Sequence, residues 1–237
     1  PDEVYEFGVR SGIGACSPDE TANRLSVVMC NMGDCSNKFV SLPMTETVED
    51  MLYPIGIQNF EDLRRNEFVY VDKTHHIHRL VSTGKYYFLS RPRRFGKSLL
   101  VSTMEAYFKG KKELFEGLAL EYLEKDWTEY PVLHLDLNSG RYMEPKDLDV
   151  VLQQHLNNWE TKYGVPPKYE DFAARLNDII DAATEKTGRQ IVVLVDEYDK
   201  PIVNNLGNEA LSDYYRKTLQ GFYGVFKAKD GQIRFGF

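Results

Sequence analysis

Five apolar residues in unbroken succession, Ile191-Val192-Val193-Leu194-Val195, run directly into two acids, Asp196 and Glu197. A half-exposed strand alternates apolar with polar residues, so an uninterrupted apolar run this short, mostly β-branched, describes a strand covered on both faces. Strands of that kind are central in parallel sheets, whose crossover connections are usually helices. The rest of the chain has the matching texture. Strands are predicted over residues 68–71, 86–90 and 132–137, and a last one begins at Gln232. Helices are predicted between them. One runs from Lys73 to Ser82, with Ile77, Leu80 and Val81 on one side and Gly84 behind it; another runs from Lys97 to Lys109, with Leu99, Leu100, Met104, Tyr107 and Phe108 as its stripe. Two more are marked by Leu148 to Trp159 and by Phe172 to Ala183, separated by Pro166 and Pro167, and a last covers Glu209 to Lys227. The prediction is an α/β fold, a mostly parallel sheet flanked by helices and joined by right-handed crossovers.

Residues 1–50, rich in Gly, Ser, Asn and Cys, read as a loosely structured extension, and 51–237 as one folded domain. The chain opens on Pro1 and closes on the alternating run Ile233-Arg234-Phe235-Gly236-Phe237, so the domain is expected to be truncated at its C-terminal end. Cys16, Cys30 and Cys35 are an odd number and form no closed disulfide framework; Cys30 and Cys35 lack a second Cys/His pair for zinc. No apolar run reaches the ~20 residues that cross a bilayer. The expectation is a cytoplasmic chain with reduced thiols and no membrane partner. A net charge of −7 argues against broad adhesion to nucleic acid, so any such contact must be local.

Between the strand at 86–90 and the helix at Lys97 stands Arg91-Pro92-Arg93-Arg94-Phe95-Gly96-Lys97-Ser98. It fits the phosphate-loop pattern G-x-x-x-x-G-K-[ST], apart from the leading glycine. Such a loop turns backbone N–H groups inward around a phosphate and aims the positive end of the following helix at it. Gly96 permits the close approach, Lys97 reaches the β and γ phosphates, and the Ser98 hydroxyl is placed to ligate Mg²⁺. Arg91 replaces a residue that often needs backbone angles only Gly adopts freely, while Pro92 fixes one φ and offers another route to the turn. Arg91, Arg93 and Arg94 add positive charge where a polyphosphate would sit. The candidate nucleotide-binding residues are therefore Arg91, Pro92, Arg93, Arg94, Phe95, Gly96, Lys97, Ser98 and Leu99.

A magnesium-dependent phosphate site also needs a carboxylate on a neighbouring buried strand, and hydrolysis needs a group to orient and deprotonate water. Asp196 ends its strand at the sheet edge where ligands of open α/β folds bind, and is taken as the second metal residue with Ser98. Glu197 is the candidate general base, a catalytic residue with Lys97. Asp136 is the rival carboxylate, but has no adjacent acid. Asp199 is expected to cap a helix or turn, and His75, His76 and His78 to face solvent or pack in the core. Tyr215, Leu219, Phe222 and Phe226 keep the spacing of a core-facing helix.

Four stretches resemble one family: residues 53–60 (YPIGIQNF), 70–74 (YVDKT), 89–98 (LSRPRRFGKS) and 194–201 (LVDEYDKP). Together they are similar to the AAA-ATPase-like family of bacterial proteins, across roughly Tyr53 to Phe237. The resemblance implies a P-loop NTPase fold, an arginine at the first loop position, and ATP with Mg²⁺ as bound species. It also implies a Thr-Gly turn after the last strand and, in many members, a C-terminal PD-(D/E)xK nuclease-like domain; neither lies within this chain. An ATPase is the leading expectation. A nucleotide-dependent regulatory switch is an alternative, as is the ATPase module of a DNA-processing or defence protein, meeting nucleic acid through the absent C-terminal domain.

Overall fold

The structure is a computed structural model that describes residues 52–90 and 95–237. The chain divides into two units, Pro1–Asp50 and Met51–Phe237; the first, with the expected loose extension, lies outside the described residues. In the second, Val132–Asp136 (β1), Ile191–Asp196 (β2) and Ile233–Gly236 (β3) form a sheet in that order. Both pairings are parallel. β2 lies between the other two, as its apolar run requires.

Alternate side chains of β2 enter two different cores. Ile191 and Val193 pack with residues of Pro145–Tyr163 (α5), Phe172–Thr187 (α6) and Glu209–Ala228 (α8). Val192 and Leu194 instead join Val101, Met104 and Phe108 of Lys97–Phe108 (α3). That second face also carries Ile77 of Thr74–Thr83 (α2), Leu120 of Ala119–Leu123 (α4) and Phe60 of Phe60–Arg65 (α1). Val192 and Leu194 are fully buried, each contributing about 1.5–3 kcal/mol of hydrophobic stabilisation. This two-sided burial is why the strand carries no polar residue before Asp196.

Local chemistry sets the helix ends. Asp171 accepts the Ala174 N–H at 2.7 Å and starts α6. Gly188 stops it with φ of +64°, the left-handed conformation a side chain resists, and the chain turns back into β2. α5 and α6 are fastened by a buried ion pair in which Arg175 Nε and Nη2 donate to Glu160 at 2.7 and 2.8 Å.

Two predicted strands are shortened or missing. Residues 68–71 form no strand; Val69 donates one backbone bond to Leu52 at 2.9 Å, while Tyr70 packs on the Phe60 ring. The segment at 86–90 keeps a single parallel bridge, Tyr86 to Gly236. Its bonds are Tyr87 N–H to Gly236 O at 2.9 Å and Gly236 N–H to Lys85 O at 2.8 Å. β3 spans four residues, so the ladder is short for want of a longer neighbour. The short helices α4 and Lys200–Val203 (α7) have too few residues to display a helical period, and the sequence pattern did not mark them.

Candidate functional site

Parallel strands place all their C-terminal ends on one edge of the sheet, and α3 begins at that edge. Gly96 precedes its first turn with φ of +73° and ψ of 24°. A Cβ built there meets no described atom within 4 Å, so glycine is favoured there by the backbone conformation. The first intrahelical bond is Leu100 N–H to Gly96 O at 3.0 Å. The N–H groups of Lys97, Ser98 and Leu99 precede it, no side chain caps them among the described residues, and the first turn carries no acid. They make a positive helix end suited to an anion. Val101, Met104 and Phe108, buried against β2 and Phe235, hold the helix in place. Phe95 is exposed. Arg91, Pro92, Arg93 and Arg94 lie outside the described residues.

On β2, Asp196 follows Leu194 by two residues and therefore points to the face that carries α3. It is buried, and its Oδ1 accepts the Glu197 N–H at 2.9 Å. Glu197 adopts φ of +53°, left-handed for a residue with a side chain. Glu67, Trp127 and Tyr142 share that conformation; what distinguishes Glu197 is its position. Lys97, Asp196 and Glu197 line one cavity of about 280 Å³, nearly a hundred residues apart in sequence. Its walls are largely apolar, including Leu89, Val193, Val195, Tyr223 and Phe226. Exposed Phe88 meets Tyr198 edge-on, ring centroids 5.1 Å apart.

The rival carboxylate stands beside the favoured one, because Asp136 of β1 is the register partner of Asp196. Asp136 Oδ1 accepts the Asn138 N–H at 2.7 Å, and its carbonyl faces His155 Nε2 at 3.1 Å. Since a carbonyl only accepts, that nitrogen carries the hydrogen. Burial pushes the His155 pKa below its ordinary value, keeping the ring neutral near pH 7. Among the described residues no group of three or more His, Cys, Asp or Glu is placed to hold a metal. Magnesium keeps several waters and binds through one or two carboxylates plus substrate phosphates. Asp196 lines the cavity and offers oxygens of the hard type such an ion takes, while Ser98 is not among the lining residues.

Other sequence-marked residues fall into structural places. Asp199 occupies the position before α7 without a side-chain cap, its carbonyl accepting the N–H groups of Ile202 and Val203. The His75 and His76 rings lie against each other, tilted by 41° with centroids 3.9 Å apart. Tyr215, Leu219 and Phe222 are buried in the α5, α6 and α8 core as their spacing predicted, while Phe226 is partly buried and lines the cavity. Tyr223 was not anticipated. Its hydroxyl is buried with no partner among the described residues, and burial raises its pKa, so it stays protonated. Lys200 and Asn138, which tie the site loops together, also carried no local signal beyond the position of Lys200 in the 194–201 stretch.

A parallel sheet that delivers an acidic pair beside a helix opening with Gly-Lys-Ser defines an α/β domain consistent with a P-loop-like fold. The family model described as "Predicted AAA-ATPase" matches residues 54–237, and the chain belongs to this AAA-ATPase-like family. It is 39% identical over 184 residues to the "Uncharacterized protein in vnfD 5'region" of Azotobacter chroococcum mcd 1. The match takes in 77% of this chain and 36% of that relative, so the chain spans about a third of the relative's length. No solved structure matches. Family membership implies nucleotide binding, and among the described residues no helix is long and apolar enough to cross a membrane.

Proposed function

We propose that this domain binds ATP with Mg²⁺ and hydrolyses it. The observation that carries this reading is the shared cavity, which brings Lys97 at the start of α3 together with Asp196 and Glu197 at the end of β2. The N–H groups of Lys97, Ser98 and Leu99 donate to phosphate oxygens, with Gly96 allowing close approach and Lys97 neutralising the β and γ phosphates. Arg91, Pro92, Arg93, Arg94 and Phe95 complete the phosphate loop. Ser98 and Asp196 hold magnesium, which when bound offsets charge on the β and γ phosphates.

Glu197 acts as the base. Its carboxylate takes a proton from water as the water oxygen bonds to the γ-phosphorus and the bond to the β-phosphate bridging oxygen breaks, releasing ADP and phosphate. Two variants test the assignment. Lys97→Ala should abolish ATP binding measured by titration in the presence of Mg²⁺. Glu197→Gln should retain binding and lose turnover by roughly 10²–10⁴-fold. Unchanged binding in the first removes the phosphate site, and unchanged turnover in the second removes the base. Tight binding without any turnover in the wild type would favour the switch reading.

A further inference from the structure

Beyond β1 and β2 the chain leaves the sheet in two loops; Asp136 and Asp196 are the last residues of the strands, and Glu197 opens the second loop. Lys200, the first residue of α7, touches both loops. Its N–H donates to the Glu197 carbonyl at 3.0 Å, while its ammonium reaches across to the β1 loop. There it donates to the Asn138 carbonyl and to Asn138 Oδ1, the latter at 2.6 Å. Asn138 in turn donates its own N–H to Asp136 Oδ1 at 2.7 Å. Asp136 and Asp196 are register partners at the ends of adjacent strands. A cation bound across the strand tips opposes their separation.

Resting on the ATP reading above, we propose that Lys200 is a positioning residue of the acidic site: its ammonium fastens the tips of β1 and β2 together and so sets Asp196 and Glu197 for magnesium and water. The fold does not need Lys200 for this connection to exist at all. Asn205 Nδ2 donates to the Tyr142 carbonyl at 2.6 Å, joining the same two loops further from the acids. Asn205 is itself anchored to α8, its carbonyl accepting from Ser212 Oγ at 2.7 Å. The β1 loop is also braced internally, with Tyr142 OH donating to Leu137 O at 2.6 Å. Loss of Lys200 should thus loosen the acidic tips and leave the loops joined.

The test compares wild type, Lys200→Ala, Lys200→Arg and Lys97→Ala. ATP affinity is measured with and without Mg²⁺, alongside turnover and thermal midpoint. For Lys200→Ala, metal-free ATP affinity and the midpoint should stay close to wild type. The enhancement of ATP affinity by Mg²⁺ and kcat should each fall roughly 10–100-fold, the range seen when a group supporting a metal ligand is removed. Lys200→Arg, whose guanidinium can still reach two oxygens, should recover most of both. The proposal is overturned if Lys200→Ala keeps the wild-type magnesium response, or if every parameter declines in step with the midpoint. It falls together with the ATP reading if the wild type binds no ATP, or if Lys97→Ala binds equally well. Normal behaviour of those two proteins with an unaffected Lys200→Ala overturns the positioning role alone.

Discussion

Replacing Glu197 with glycine should make the protein more stable and inactive at once. At φ of +53° a residue with a Cβ loses about 1–2 kcal/mol against the following carbonyl, a cost glycine escapes. Glycine also gives the unfolded chain more freedom, which returns about 0.4–1 kcal/mol of that gain. The side chain is half-buried and makes no hydrogen bond among the described residues, so little else is lost. The net stabilisation is about 0.5–1 kcal/mol, a rise in midpoint of roughly 1–4 °C for a domain of this size. Glu197→Gln keeps the Cβ and the strain, so its midpoint should match wild type while turnover is lost.

Glu67 supplies the internal control. It has φ of +56°, is exposed, and lies just past α1, so Glu67→Gly relieves a similar strain without touching the acidic site. Its midpoint should rise by a similar amount with turnover intact. Thermal unfolding followed by far-UV circular dichroism, paired with a phosphate-release assay, reads all three variants. If Glu197→Gly melts at or below wild type while Glu67→Gly melts above it, the Glu197 conformation is not a stored cost. If Glu197→Gly still turns over ATP, the carboxylate is not the base.

Two further outcomes follow from buried charge. Glu160→Ala leaves the Arg175 guanidinium unpaired where both side chains are 6% exposed, and should cost about 3–5 kcal/mol by denaturant unfolding; adding Arg175→Met should recover part of it, and a double variant no better than the single one would count against the unpaired-charge account. Burial alone would raise the Glu105 pKa, but hydrogen bonds from His134 and Lys109 outweigh it and hold the carboxyl at about 2. This folded value lies below the unfolded one of about 4.3, so the stabilisation is present above about pH 4.3 and lost as pH falls toward 2. Glu105→Gln should flatten the slope of stability against pH between about 5 and 3; an unchanged slope would refute the assignment.

What could be read from the chain alone was whatever a residue's immediate neighbours impose. Ile191 to Val195 declared a doubly covered strand because every position had to be apolar, and Gly96-Lys97-Ser98 declared a helix start because the glycine stands one residue before it. The long helices α5 and α6 were legible because their buried stripes repeat over several turns. Pairing was not legible. The bridge at Tyr86 depends on how far β3 extends, and Phe68 to Val71 has strand composition but no ladder to join. Asp136 was weighed against Asp196 as though one must be chosen, because nothing local reveals that register places them side by side. The Lys200 contact spans 62 residues, and its acceptor is partly a backbone carbonyl, which has no sequence signature at all.

The motif stretches also divide their labour in a way composition cannot express. Asp72 and Thr74 belong to a family-like stretch, yet neither lines the cavity. Asp72 Oδ1 accepts the Thr74 N–H and hydroxyl at 2.8 and 2.7 Å, its Oδ2 accepts the Ala119 N–H at 2.6 Å, and Thr74 Oγ1 accepts the Leu120 N–H at 3.0 Å. Two side chains thus satisfy the opening N–H groups of both α2 and α4. Ile77 of α2 and Leu120 of α4 lie in the same core as Val101, Met104 and Phe108, the residues that seat α3 against the sheet. The caps therefore act on the proposed nucleotide site at one remove: they fix two small helices, which share the core under the helix that carries Lys97. The 70–74 stretch thus supports the helix that opens with Lys97 without lining the cavity itself.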